Sequence, residues 1–256
     1  MNLKKTMAAG AAALCAAVCL ADVQSANVVG YVTSNILKDD YTMFGIQFDG
    51  VSGGGVKFKD LGINANGGES QPDADNILVW KNGEYFTYYF GDWGDPSTGW
   101  DKKWWEDFGD FEDASDKTIE PGTACWYLRR GDATTLTVSG AVKLTPTTVT
   151  ILANDYTMFS CPYPTAVKFK DIAIASPTGG ESQPDADNIL VWKNGEYFTY
   201  YFGDWGDPST GWDKKWWEDF GDFEDASDKT IDPGIACWYL RRGDATTMSF
   251  TSPLAK

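Results

Sequence analysis

Residues 67–135 and 179–247 are one sequence written twice. The two 69-residue blocks are offset by 112 positions and differ only at Glu120 against Asp232 and Thr123 against Ile235. The match continues upstream with small changes of length: Asp40-Tyr41-Thr42-Met43-Phe44 recurs at Asp155–Phe159, and Val56–Asp60 recurs at Val167–Asp171. Each unit is about 110 residues, an ordinary size for a self-sufficient domain. A chain of 256 residues built this way is expected to form two tandem, near-identical domains, repeat one over 27–142 and repeat two over 143–256. Two copies of any surface give avidity toward a repetitive partner.

The first 26 residues read as a signal peptide. Lys4 and Lys5 precede an apolar stretch from Met7 to Ala21, and Ala21 and Ala26 supply small residues for cleavage. Cys19 follows Ala16-Ala17-Val18, which is not a lipidation pattern. No later stretch is long and apolar enough to span a bilayer. A secreted, extracellular or cell-surface location is expected, with the periplasm as a further compartment.

Composition narrows the chemistry. There is no His, and 21 Lys and Arg stand against 37 Asp and Glu, a net charge of -16. Histidine-based acid–base catalysis and His-ligated metals are excluded. Nucleic acid is excluded as a partner because its phosphates need basic neutralisation, and an anionic membrane surface is disfavoured.

Periodicity within each unit is that of strands. Val28–Leu37, Tyr41–Phe48, Ile77–Trp80, Tyr85–Phe90, Ala124–Leu128 and Thr134–Val142 are strand candidates. Lys81-Asn82-Gly83-Glu84 joins two of them with the strongest short hairpin signal. Tyr85, Thr87 and Tyr89 then share one face and Phe86, Tyr88 and Phe90 the other, so this strand is expected to be covered on both sides. From Asp101 to Phe108 the spacing of Trp100, Trp104, Phe108 and Phe111 predicts one or two helical turns, which Gly109 would end. The fold class is all-β, each unit a small antiparallel sandwich or partly closed barrel.

The stretch Tyr85–Phe111 holds 11 aromatic residues in 27, interleaved with carboxylates. The candidate ligand or interface residues are Trp93, Trp100, Trp104, Trp105, Asp92 and Asp101. Their copies are Trp205, Trp212, Trp216, Trp217, Asp204 and Asp213. Rings stack on the apolar faces of sugars and carboxylates accept from their hydroxyls. Trp and Tyr also anchor protein interfaces, and an aromatic flap folded on a hairpin is a third reading.

Acids also crowd Glu69, Asp73 and Asp75, and again Asp107, Asp110, Glu112, Asp113 and Asp116. Calcium is the metal such oxygens would suit, but the spacing is not that of the twelve-residue calcium loop, and a solvated acidic surface explains it as well. Some carboxylate pair would meet the spacing of glycoside hydrolysis in any chain this acidic, so no catalytic residue is assigned. Arg130-Gly131-Asp132 and its copy Arg242-Gly243-Asp244 read as turn residues rather than as an attachment motif.

Three cysteines follow the leader: Cys125, Cys161 and Cys237. Cys125 and Cys237 are repeat equivalents, whereas Cys161 stands where repeat one has Ile46. A Cys161–Cys237 disulfide in repeat two is therefore a candidate, provided that the strands carrying them are adjacent. Its loop would be worth roughly 4.5 kcal/mol before strain.

The order of pieces carries a resemblance. Asn27-Val28-Val29-Gly30-Tyr31-Val32 opens directly after the leader. Tyr41-Thr42-Met43-Phe44-Gly45, Ala74-Asp75-Asn76-Ile77, Gly83–Tyr89 and Ile119–Tyr127 follow. This resembles a group of small secreted β-rich proteins of Verrucomicrobia- and Lentisphaerae-type bacteria without assigned function. Thr123-Ala124-Cys125-Trp126 departs from the group's usual Gly-aromatic step after Pro-Gly. The resemblance implies a β fold and an envelope or extracellular setting, and no active residues.

The expected role is that of a non-enzymatic secreted or cell-surface structural and interaction protein, self-assembling or bound to an envelope protein. The alternative is a tandem glycan-binding module that uses the duplicated Trp, Tyr and carboxylate surfaces.

Overall fold

The computed structural model describes residues 28–51, 53–193 and 195–254. The leader falls outside them. Repeat one contains β1 (Val29–Ile36), β2 (Tyr41–Gly45), β3 (Val56–Lys57), β4 (Asn76–Lys81), β5 (Glu84–Gly91), β6 (Lys103–Glu106), β7 (Thr118–Ile119), β8 (Ala124–Leu128) and β9 (Thr134–Ala141). Repeat two contains β10 (Thr147–Ile151), β11 (Tyr156–Ser160), β12 (Val167–Lys168), β13 (Ala173–Ile174), β14 (Asn188–Lys193), β15 (Glu196–Gly203), β16 (Lys215–Glu218), β17 (Thr230–Ile231), β18 (Ala236–Leu240) and β19 (Thr246–Phe250).

Each repeat is a sandwich-like pair of antiparallel layers. The larger layer of repeat one is a five-stranded sheet in the order β2-β8-β4-β5-β6, and that of repeat two is β11-β18-β14-β15-β16. The second layer is β1-β9 in repeat one and β10-β19-β13 in repeat two. Phe44, Ile77, Cys125, Tyr127 and Trp104 of the sheet pack on Ile36, Leu136 and Val138 of the second layer. Asn82 and Gly83 take φ of 54° and 87°, as a type I′ turn requires, and set Ile77 opposite Tyr88 and Val79 opposite Phe86.

The helical turns expected over Asp101–Phe108 do not form. Lys103–Glu106 is strand β6, paired with Tyr88–Gly91. Lys102 before it adopts φ of 60°, in the left-handed region that interrupts a right-handed helix. Strand alternation then sends Trp104 into the main core and Trp105 to the opposite face.

The two repeats meet through the outer faces of their large sheets. Met43, Ala124, Met158 and Ala236 are buried there among Trp80, Trp126, Trp192 and Trp238. The indoles cross edge to face, Trp80 on Trp238 at 5.1 Å and Trp126 on Trp192 at 5.3 Å between centroids. Gly45 N donates to Gly234 O at 3.1 Å, and Ser160 N donates to Gly122 O at 2.9 Å. Under exchange of the repeats each of these contacts becomes the other. The repeats are therefore related by an approximate two-fold axis, as in an isologous dimer.

All three described cysteines are free thiols and buried. Phe159 of β11 lies opposite Cys237 of β18, so the strands are neighbours, and Cys161 stands just past the end of β11, two positions beyond the residue that faces Cys237. Cys161 Sγ donates to Thr165 O at 3.4 Å.

Burial holds nine of the twelve tyrosines protonated beyond their ordinary range: Tyr85, Tyr88, Tyr89, Tyr127, Tyr163, Tyr197, Tyr200, Tyr201 and Tyr239. A phenol whose pKa is raised by folding lends stability that is complete below the unfolded value of about 10 and is lost as pH climbs toward the folded value. Alkaline titration is therefore expected to release most of the phenolate absorbance in one cooperative step together with loss of circular dichroism. A gradual, non-cooperative rise would contradict the burial.

Candidate functional site

On β5 the residues Tyr85, Thr87 and Tyr89 point to the outer face. Tyr85 stands at the repeat junction, 6.4 Å from the Trp238 ring. Tyr89 lies four residues on, about 13 Å along the strand, where a second aromatic group begins. Tyr89 and Trp105 are buried there with Ala74, and Trp93 packs against them. Phe111 stacks on Trp105 at 4.9 Å and 8°. Trp100 stands at the rim, 5.8 Å from Trp93 and 6.2 Å from Trp105.

The cluster is a small core with an exposed crest. Trp105 is 7% exposed, whereas Trp100 is 53% and Phe111 is 42% exposed. The copy repeats this arrangement: Trp212 is 50% and Phe223 42% exposed, and Phe223 stacks on Trp217 at 4.9 Å and 9°.

The crest is held by a rigid loop. Asp95 accepts from Ser97 N at 3.0 Å and Ser97 Oγ at 2.6 Å, which starts a 3-10 turn over Pro96–Thr98. These bonds pull the Asp95 carboxyl below its usual range. Gly99 ends the turn at φ of 72°, a backbone that suits glycine. Trp105 Nε1 then donates to Trp100 O at 3.1 Å, and Trp217 Nε1 to Trp212 O at 3.1 Å. Gly91 matters for another reason: a Cβ there would lie 2.4 Å from the Trp93 ring and 2.7 Å from Trp105. Only glycine lets both indoles lie over the strand end.

Of the residues singled out in the sequence, Trp93, Trp100 and Trp105 gather here, as do Trp205, Trp212 and Trp217. Trp104 and Trp216 do not: they face the main cores, at 2% and 3% exposure. Asp101 and Asp213 serve the loop, accepting from Trp93 N at 2.7 Å and Trp205 N at 2.6 Å. Asp92 accepts from Gly94 N and pairs with Lys102, which lowers its pKa. Asp204 accepts from Gly206 N at 3.1 Å. These four acids shape the loop before they can serve a ligand.

Sequence reasoning left Phe111, Tyr89 and Asp107 out of the site. Desolvation pushes the Asp107 carboxyl up, and Tyr89, already raised by its own burial, is raised further by that acid's charge. The run of aromatic residues could have flagged Tyr89 and Phe111, but the φ of 57° that turns Phe111 back onto Trp105 has no sequence signature.

Four of the acids suspected of binding calcium are held by cations. Asp113 pairs with Lys103 and Glu112 with Lys117. Asp116 lies 2.7 Å from both Lys57 and Lys59, whose hydrogen bonds bring its carboxyl down to about 2. Asp75 is fully buried against Arg129. Among the described residues no three Cys, Asp or Glu gather as a metal site, and no helix is long and apolar enough to cross a membrane. Arg130-Gly131-Asp132 is a strand-end turn in which Arg129 Nε donates to Asp132 O at 2.8 Å and Lys38 pairs with the Asp132 carboxylate.

Each repeat therefore presents one preformed, partly exposed aromatic surface flanked by acids. Compared with family models, with curated proteins and with solved structures, the chain finds no match in any of the three.

Proposed function

We propose that the protein is an exported, non-catalytic glycan-binding protein with two equivalent sites, one on each aromatic crest. The observation that carries this reading is the pair Trp100 and Trp212. Each is a large indole left half in solvent on a loop whose every turn is hydrogen-bonded. Pre-ordered rings bind at low entropic cost. Carboxylates and phenols beside them accept and donate to sugar hydroxyls. The net charge of -16 repels polyanions, which points to neutral polysaccharides whose sugars expose flat apolar faces.

The test is intrinsic Trp fluorescence against a panel of neutral soluble polysaccharides, with and without calcium. A saturable change is expected with at least one. Trp100→Ala combined with Trp212→Ala should weaken it at least 100-fold while leaving the melting temperature near that of the parent, since both rings are half exposed. Retained binding in that double variant would remove the crests from the site. A surface for another protein is the competing outcome, read as no response to any glycan.

Export also bears on the cysteines. Burial raises the Cys161 thiol to about 11 and Cys237 further still, so neither is a ready nucleophile once folded. A bridge between them would form during folding in an oxidising compartment. Denatured, unreduced protein from that compartment would titrate one thiol, from Cys125, were the bridge closed, whereas the free thiols of the structure correspond to three. Three would rule the bridge out.

A further inference from the structure

The two-fold relation between the repeats constrains what two sites can do together. We infer that the protein joins two separate polysaccharide strands rather than holding one strand at two points. This rests on the glycan reading of the crests.

Three reciprocal sets of contacts fix the symmetry. Trp80 meets Trp238 as Trp192 meets Trp126. Gly45 N meets Gly234 O as Ser160 N meets Gly122 O. Gly234 approaches Val32 and Ser34 as Gly122 approaches their equivalents Thr147 and Val149. The crests are built from the same 69-residue block and are related by the same rotation.

The line joining two sites related by a two-fold axis runs perpendicular to that axis. A rotation of half a turn reverses every direction along such a line. A polysaccharide is directional, with a reducing and a non-reducing end. A straight strand long enough to reach both crests would therefore meet the first in one sense and the second in the opposite sense. If each crest instead holds its strand parallel to the axis, the two strands lie side by side and never join. Neither orientation lets one straight strand fill both sites in the same sense. Tandem domains related by translation would have allowed it. Here duplication multiplies strands rather than contacts per strand.

The prediction differs sharply from that of avidity. A linked pair of sites on one strand gains about 10²–10⁴ in affinity once the ligand spans them. A cross-linker gains nothing from length until strands are long enough to be shared between proteins.

The experiment uses the full mature chain with mixed-linkage β-glucan and its purified oligosaccharides as probes. Calorimetry is expected to give two oligosaccharides per chain, with a per-site affinity that changes less than twofold from the hexasaccharide upward. Light scattering with the polymer should rise as strands are bridged. Trp212→Ala should halve the stoichiometry, leave the remaining affinity within twofold and abolish the scattering. A stoichiometry that drops to one long oligosaccharide per chain, with affinity rising 100-fold, would overturn the inference and leave the glycan reading intact. No response to any polysaccharide of the panel would remove both.

Discussion

Asp75→Ala is expected to destabilise the protein by about 3–5 kcal/mol, the largest effect of any single carboxylate in repeat one. Asp75 is wholly buried. Its Oδ1 accepts from Arg130 N at 2.7 Å. Its Oδ2 accepts from Asn66 N at 2.7 Å, from the Tyr127 hydroxyl at 2.7 Å and from Arg129 Nη1. Four donors converge on one side chain, one from the loop at Asn66 and three from the segment 127–130. Removing it strands a buried guanidinium and a phenol whose proton the acid had helped to hold. Asp75→Asn should be nearly as damaging, because an amide nitrogen would face donors. The exposed Asp116→Asn is the control and should change little, since pairs in open solvent add little. Thermal unfolding measures this, with a fall of roughly 10 °C expected for a chain of this size. Asp187 makes the same bonds in repeat two. Equal losses at both positions would show that the cooperative unit is the whole chain.

The second large effect concerns that cooperativity. Trp126→Ala with Trp238→Ala removes one indole from each side of the repeat junction, together with hydrogen bonds of 3.1 Å from their Nε1 atoms to the Tyr85 and Tyr197 hydroxyls. The pair is expected to cost about 4 kcal/mol. The loss falls between the repeats, so the core of each sandwich stays intact. Calorimetry is expected to give one transition for the parent and two for the variant. One unsplit transition at an unchanged temperature would mean that the junction contributes nothing to stability.

Much of the fold was legible because its signals are local. Asn82-Gly83 fixes a hairpin by backbone geometry alone, and of the two-sided cover expected around Tyr85–Phe90 the outer face is buried at Tyr89 and open at Tyr85. The error over Asp101–Phe108 has the same root. Trp100, Trp104 and Phe108 are spaced by four, which a helix and a looped strand share, and only the positive φ of Lys102 separates them. The candidate site was legible as composition and not as geometry. Nothing in the order Trp104-Trp105 says which indole enters the core. The junction was hidden for a different reason. Alternation places Trp80 and Trp126 on an outer face, but what covers that face, Trp238 and Trp192, comes from the other repeat.

The near identity of the blocks has a consequence for how the chain finds its tracing. Edge strands β2 and β11 each complete a large sheet by pairing with β8 and β18, and β8 and β18 have the same sequence, Ala-Cys-Trp-Tyr-Leu. The native pairings close loops of about 80 residues each. Exchanging the edge strands would close one loop of about 30 and one of about 195, and the logarithmic cost of loop closure makes the two schemes nearly equal. Selection between them falls to the few residues that differ upstream, such as Ile46 against Cys161 and Gln47 against Pro162. Cys161 is thereby a reporter of topology. Beside Cys237 it marks the native tracing, and cross-linked to Cys125 it would mark an interior strand exchange.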